Sequence, residues 1–131
     1  MQFLHPKNWA PAKGFANGVA ATGRQVFVAG QVGWNAEQRF ESDDFVAQVE
    51  QALANIVAVL AEADAKPEHL VRLTWYITDK GAYLAHLADV GRAYRRVIGR
   101  HFPAMTLVQV AALLEDRAKV EIEATAVVPE A

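Results

Sequence analysis

The spacing of hydrophobic positions changes along the chain, and each change marks an element. Gln25-Val26-Phe27-Val28-Ala29-Gly30 is a short, branched, apolar run between Gly23-Arg24 and a loop-like Gly33-Trp34-Asn35-Ala36-Glu37, and it predicts a buried strand. Gly18 to Thr22 predicts a weaker strand that pairs with it as a hairpin. Ser42 stands where an N-cap is expected, with Asp43 and Asp44 adding negative charge to the first turn. From there Val46, Val49, Leu53, Ile56 and Leu60 recur at three- and four-residue steps, which predicts an amphipathic helix ending before Lys66-Pro67. Leu70 to Thr78 is rich in branched and aromatic residues and predicts a second strand, stopped by Asp79-Lys80-Gly81. A second helical stripe runs through Tyr83, Leu87, Val90, Tyr94 and Val97. It closes at Gly99, with Arg100 and His101 suited to the negative end of the helix dipole, and Pro103 prevents its continuation. Thr106 to Leu113 and Lys119 to Val128 are the last predicted strands, joined by a polar turn around Glu115-Asp116-Arg117.

This order, β-β-α-β-α-β-β, fits neither a Rossmann alternation nor a helical bundle. It predicts an α+β fold, a single mixed sheet with two helices packed on one face. Thr106, Val108 and Val110 alternate with Met105, Leu107 and Gln109, so both faces of that strand carry large side chains and neither is expected to stand fully in water. An uncovered face of this kind points to an oligomer.

Composition narrows the chemistry. The 131 residues fit one domain, 1–131, large enough for a core without staples. Without cysteine there is no disulfide, thiolate site or cysteine nucleophile, which leaves carboxylates, imidazoles, phenols, hydroxyls and backbone groups. The net charge of -2 gives no general attraction to nucleic acid, and Arg92, Arg95, Arg96 and Arg100 read as a solvated helix face. Neither a signal-peptide pattern nor a continuous apolar run of membrane-spanning length is present, so a cytoplasmic protein with no membrane partner is expected. His5, His69, His86 and His101 are scattered without ligand spacing, so no metal is expected, and Ser42, the only serine, has capping as its expected role.

The candidate chemistry lies in Val120-Glu121-Ile122-Glu123-Ala124, where the two-residue period sets both carboxylates on one face of an apolar strand. Glu121 is either a proton-shuttling, water-orienting acid or an interface carboxylate paired with Lys119 or an arginine; Glu123 is read as a structural partner. Trp34 follows Gly30-Gln31 and either caps the core, meets a neighbouring subunit or rims a cleft, whereas Trp75 is read as core. Trp9 sits in an amino-terminal arm whose role the residues leave open.

Taken together, Gly30-Gln31 ending the early strand, Asn55 and Tyr94 in the two helices, Phe102-Pro103-Ala104, and Val120 to Ala124 resemble the RidA/YjgF family of enamine and imine deaminases from about Gly14 onward. The resemblance implies a chorismate-mutase-like fold, a homotrimer with clefts between subunits, and a small-molecule substrate. It also implies hydrolysis of enamines or imines released by pyridoxal-phosphate enzymes, with no cofactor of the protein's own. It assigns the water-positioning glutamate to Glu121 and the backbone approach to substrate to Ala29, Gly30 and Gln31, with Trp34 near the rim.

Other positions implied by the resemblance are changed. A hydroxyl residue is Ala29, a proline-tyrosine pair is Phe15-Ala16, an asparagine is Gly91, a carboxylate-gripping arginine is Met105, and a small residue is Leu107. A guanidinium holds a carboxylate through two charge-assisted bonds, which the soft, apolar Met105 cannot replace. Arg24, Arg96 and Arg117 are the candidates to supply the charge from elsewhere. The expected activity is deamination of an apolar, cyclic or masked-carboxylate enamine rather than 2-iminobutanoate, with catalysis at Glu121. The alternative is a trimer that binds a metabolite or partner without catalysis. The RNA-cleaving activity attached to older names of the family finds no support in an acidic chain without a histidine general base.

Overall fold

In the computed structural model, which describes residues 1–130, the chain runs β1 (Gln2–Leu4), β2 (Gly18–Ala20), β3 (Arg24–Val32), α1 (Phe45–Glu62), a 3-10 turn (Pro67–His69), β4 (Leu70–Ile77), α2 (Lys80–Ala85), α3 (Leu87–Val97), β5 (Ala104–Gln109) and β6 (Val120–Val128). Ala131, the last residue of the expected domain, lies outside the described residues. The main sheet has the order β3-β6-β4-β5, with β6 antiparallel to both neighbours and β4 parallel to β5. It is therefore mixed, as expected, with the helices on one side.

The core forms where α1 lies on β3 and β6. Val49, Leu53, Ile56 and Leu60 are fully buried and meet Val120, Ile122 and Ala126 of β6 and Leu70, Leu73 and Ile77 of β4. Each such large side chain contributes about 1.5–3 kcal/mol relative to exposure. The 18 residues of α1 match a membrane span in length and hydropathy, but this apolar stripe is committed to the sheet.

Four local expectations are corrected. Gly18–Ala20 does not pair with β3; it pairs antiparallel with β1, through Phe3↔Val19, forming a separate two-stranded ribbon. The edge of β3 stays open. The cap of α1 is Asp44, whose carboxylate accepts from Ala47 N–H at 2.9 Å, while the Ser42 hydroxyl accepts from Asp44 N–H one step earlier. The second helix is broken at His86, which leaves helical geometry; its ring Nδ1 lies 2.8 Å from the Ala82 carbonyl that a continuous helix would have used for the His86 N–H. Finally, β5 ends at Gln109 rather than Leu113, because β4 ends at Ile77 and offers no partner further on.

The turn between β5 and β6 is tied to α1 by one buried amide. Gln48 donates to the carbonyls of Ser42 and Arg117, both at 3.0 Å, and accepts from Lys119 N–H at 2.8 Å. Gly33 makes the approach possible, since a Cβ there would stand 2.6 Å from Gln48 Cα. Gln48→Leu keeps the volume but leaves these backbone groups without partners, and is expected to destabilise the protein by about 2–4 kcal/mol in denaturant unfolding.

Candidate active site

The end of β3 carries a one-residue bulge. Val28 pairs with Ala124 and Gln31 with Ile122, so the stretch through Ala29 and Gly30 takes one more step than β6 does. Asn55 of α1 fixes the strand's exit by donating to the carbonyls of Val32 (3.1 Å) and Trp34 (2.8 Å). Beside the bulge lies Glu121. A Cβ on Gly30 would stand 2.8 Å from Glu121 Cδ, so the missing side chain is what lets the carboxylate lie against the backbone. Glu121 is half-buried and, among the described residues, makes no hydrogen bond or ion pair, with Lys119 or any arginine.

Glu123, on the same face, is engaged: the Tyr76 hydroxyl donates to it at 2.5 Å. That bond holds the Tyr76 phenol above its ordinary pKa, with desolvation and the charges of Glu123 and Glu121 adding to the effect. The structural reading of Glu123 matches this geometry. Around it a cavity of about 460 Å³ is lined by Phe27, Ala29, Arg72, Thr74, Glu123 and Thr125. Phe27 is 71% exposed there. This face is more polar than the alternation in β5 suggested, because Arg72, Thr74, Tyr76, Glu121, Glu123 and Thr125 all project from it.

Phe15, Gly91, Met105 and Leu107 meet elsewhere. They line a second cavity, about 580 Å³, between α3 and strands β4 and β5, whose far wall is Trp75 and Tyr94. Ala16 donates to the Pro103 carbonyl at 3.0 Å and bridges Ala104, which brings Phe15 to the cavity. Tyr94 is stacked between Trp75 (centroids 6.5 Å) and Phe102 (5.4 Å) and donates to the His101 carbonyl at 2.6 Å. Burial holds its phenol far above the ordinary tyrosine range. Trp75 is core, as expected, at 4% exposure, but its indole N–H has no acceptor among the described residues.

The expected site residues thus fall into two groups on opposite faces of one sheet. Met105 and Leu107 pair with Leu73 and Trp75 and point with them to the helices; Glu121 pairs with Tyr76 and points away. Ala29 and Gly30 lie on the bulge beside Glu121, whereas Gln31 is in register with the core residue Ile122 and turns its amide back to the Ala29 carbonyl at 3.1 Å. Trp34 packs on Phe40 (centroids 5.7 Å) and lines neither cavity.

The three arginines considered as replacements are occupied elsewhere. Arg24 donates to the Ala63 carbonyl (2.7 Å), Arg96 pairs with Glu50 (2.7 Å), and Arg117 pairs with Asp43 (2.9 Å) and donates to the Phe40 carbonyl (3.2 Å). The cations that do border the Met105 cavity are Arg95, which the sequence places on a solvated helix face, and Lys13, which sequence reasoning did not single out. The signal for Arg95 was its spacing from Gly91, one helical turn apart. Among the described residues no three His, Asp or Glu side chains are grouped as a metal ion would require.

Comparison with known proteins places this arrangement. A family model described as endoribonuclease L-PSP matches residues 6–128. Protein DfrA of Myxococcus xanthus is 38% identical over 106 residues, 80% of this chain and 77% of that protein. The 2-iminobutanoate/2-iminopropanoate deaminase of Escherichia coli (strain K12) is 33% identical over 108 residues, 80% of each chain. Among solved structures, the conserved Rid-family protein YyfB of Yersinia pestis, itself of unknown function, superposes with a TM-score of 0.86 at 33% identity, covering 97% of this chain and 98% of that one.

Gly30→Ala tests the packing of the carboxylate. The added methyl meets the flexible end of Glu121 rather than backbone, so stability is expected to change by less than about 1 kcal/mol. A crystal structure of the variant is expected to show Glu121 turned away from the bulge.

Proposed function

The chain belongs to the endoribonuclease L-PSP family, the RidA/YjgF proteins, and on that footing we propose that it hydrolyses an enamine or imine with release of ammonia, using Glu121 as the acid-base group. The observation that carries the reading is the Glu121 carboxylate itself, half-buried against Gly30 and free of any partner among the described residues. A structural carboxylate in such a place is ordinarily paired, as Glu123 is.

The steps follow from what a carboxylate can do. Protonation of an enamine carbon gives the iminium ion. Water adds to its carbon while Glu121 takes the water's proton, forming a carbinolamine. Glu121 then returns that proton to nitrogen, the C–N bond breaks as the carbinol O–H proton passes to Glu121, and ammonia leaves behind a carbonyl compound; the proton now on Glu121 is the one that an enamine carbon receives in the next turnover. The bulge at Ala29-Gly30 supplies backbone groups beside the reacting centre for the charge that develops.

The second half of the site sets the substrate. Met105, Leu107, Phe15 and Gly91 offer an apolar wall and no guanidinium at the position where the family resemblance expects one. An apolar, cyclic or masked-carboxylate enamine suits that wall better than 2-iminobutanoate, whose carboxylate lies next to the reacting carbon. Because the two halves lie on opposite faces of a sheet, a single chain does not unite them. A homotrimer does, when the Glu121 face of one copy covers the Met105 cavity of the next.

Two measurements test this reading. Light scattering coupled to gel filtration is expected to give about three times the chain mass of 14.3 kDa; a monomer at micromolar concentration rules out the composite site. Ammonia release from a panel of aromatic, cyclic and thioester enamines is expected to exceed that from 2-iminobutanoate. On the best substrate Glu121→Gln is expected to reduce turnover by roughly 10²–10⁴-fold while Glu123→Gln costs less. Equal turnover by wild type and Glu121→Gln removes Glu121 from the mechanism.

A further inference from the structure

The Met105 cavity is apolar in its depth and cationic at its mouth. Lys13 and Arg95 border it, and among the described residues no Asp or Glu does. Arg95 differs from its helical neighbours: Arg92 is paired with Asp89 and Arg96 with Glu50, whereas Arg95 has no carboxylate partner among the described residues. Its guanidinium folds back along α3, with Nη1 3.5 Å from where a Cβ of Gly91 would stand. A Cβ there would make an ordinary van der Waals contact, so the guanidinium lies over the part of the helix surface that Gly91 leaves low. Two cations beside one cavity, with no acidic side chain among its described lining residues, form a surface complementary to a ligand that carries negative charge.

We propose that Arg95 is a specificity-determining residue of this cavity, binding an anionic group at the far end of a substrate whose apolar body lies against Trp75, Tyr94 and Met105. The inference rests on the reading of this cavity as the substrate half of the site. It adds to that reading the chemical class of the ligand: an amphipathic carboxylate whose charge is remote from the carbon that reacts. The guanidinium is displaced from β5 to the mouth, so it meets an acid separated from the imine by an apolar spacer and cannot reach one directly attached to it. A side-chain carboxylate of an arylalkyl or cyclic imine has that form.

The probes are 3-phenylpropanoate and its neutral amide, 3-phenylpropanamide, titrated calorimetrically into the assembled wild-type protein, Arg95→Ala and Arg95→Lys. The acid is expected to bind wild type at least about 10-fold more tightly than the amide. Arg95→Ala is expected to lose that preference by weakening the acid alone, and Arg95→Lys to keep part of it, with melting temperature and assembly unchanged in both. Equal affinity of wild type for acid and amide, a preference that persists in Arg95→Ala, or no binding of the acid at millimolar concentration each overturns the assignment. The readout needs no turnover. A failed Glu121 experiment therefore leaves it standing, and absence of any acid preference in a wild-type protein that deaminates a neutral enamine removes Arg95 alone.

Discussion

Everything in this protein depends on the two-residue alternation of β6, one of the two strands with a partner on each side. Val120, Ile122, Ala124 and Ala126 enter the core under α1, while Glu121, Glu123 and Thr125 face the opposite way. A register slip of one residue would exchange the two sets and drive both carboxylates under the helix. Each unpaired buried charge costs several kcal/mol, so two of them would consume much of the roughly 5–15 kcal/mol that holds a domain together. The need to bury the apolar set thus fixes where the acids stand. The site inherits its geometry from the core.

The same alternation explains what could be read in advance. Strands β3, β4 and β6 and helix α1 were legible because their hydrophobic period is strong and their burial is one-sided. The pairing of Gly18–Ala20 was not, because three residues with one large side chain carry no register information, and its partner proved to be the distant Gln2–Leu4 rather than the adjacent strand. The break at His86 was hidden by a stripe that continues unchanged from Tyr83 to Leu87, since a side chain that captures a backbone carbonyl leaves no trace in hydrophobic periodicity. Capping shows the same limit: Ser42 and Asp44 are both good caps, and only the geometry separates them.

Of the site, Glu121 and its glycine were visible as residue types at a strand end, and the aromatic cavity was visible only in part. Phe15, Gly91, Met105 and Leu107 were named from resemblance, and the structure does gather them. Their separation from Glu121 by the thickness of the sheet was not foreseen, although parity decides it. Met105 shares a face with Leu73, and Glu121 shares one with Tyr76. Arg95 was missed for a related reason. In a run with Arg92 and Arg96 it reads as one more solvated charge, and only the ion pairs of the other two reveal that it is different.

Electrostatics and packing then point in one direction across α3. A side chain at Gly91 large enough to hydrogen-bond a ligand would take the space over which Arg95 lies, and an arginine at Met105 would bring a second guanidinium into the same cavity. Two guanidinium groups facing one small apolar cavity repel each other unless an anion lies between them, so a charge at the mouth and a charge on the wall are alternatives. With the charge at the mouth, the wall is free to be apolar, and Met105, Leu107 and Phe15 widen the contact available to a hydrophobic body. On the proposed reading, an imine with its carboxylate on the reacting carbon would find no charge-assisted bonds at Met105 and little contact in return. On that same reading, the apolar Met105 wall and the unpaired Arg95 at the mouth together decide what the cavity can hold.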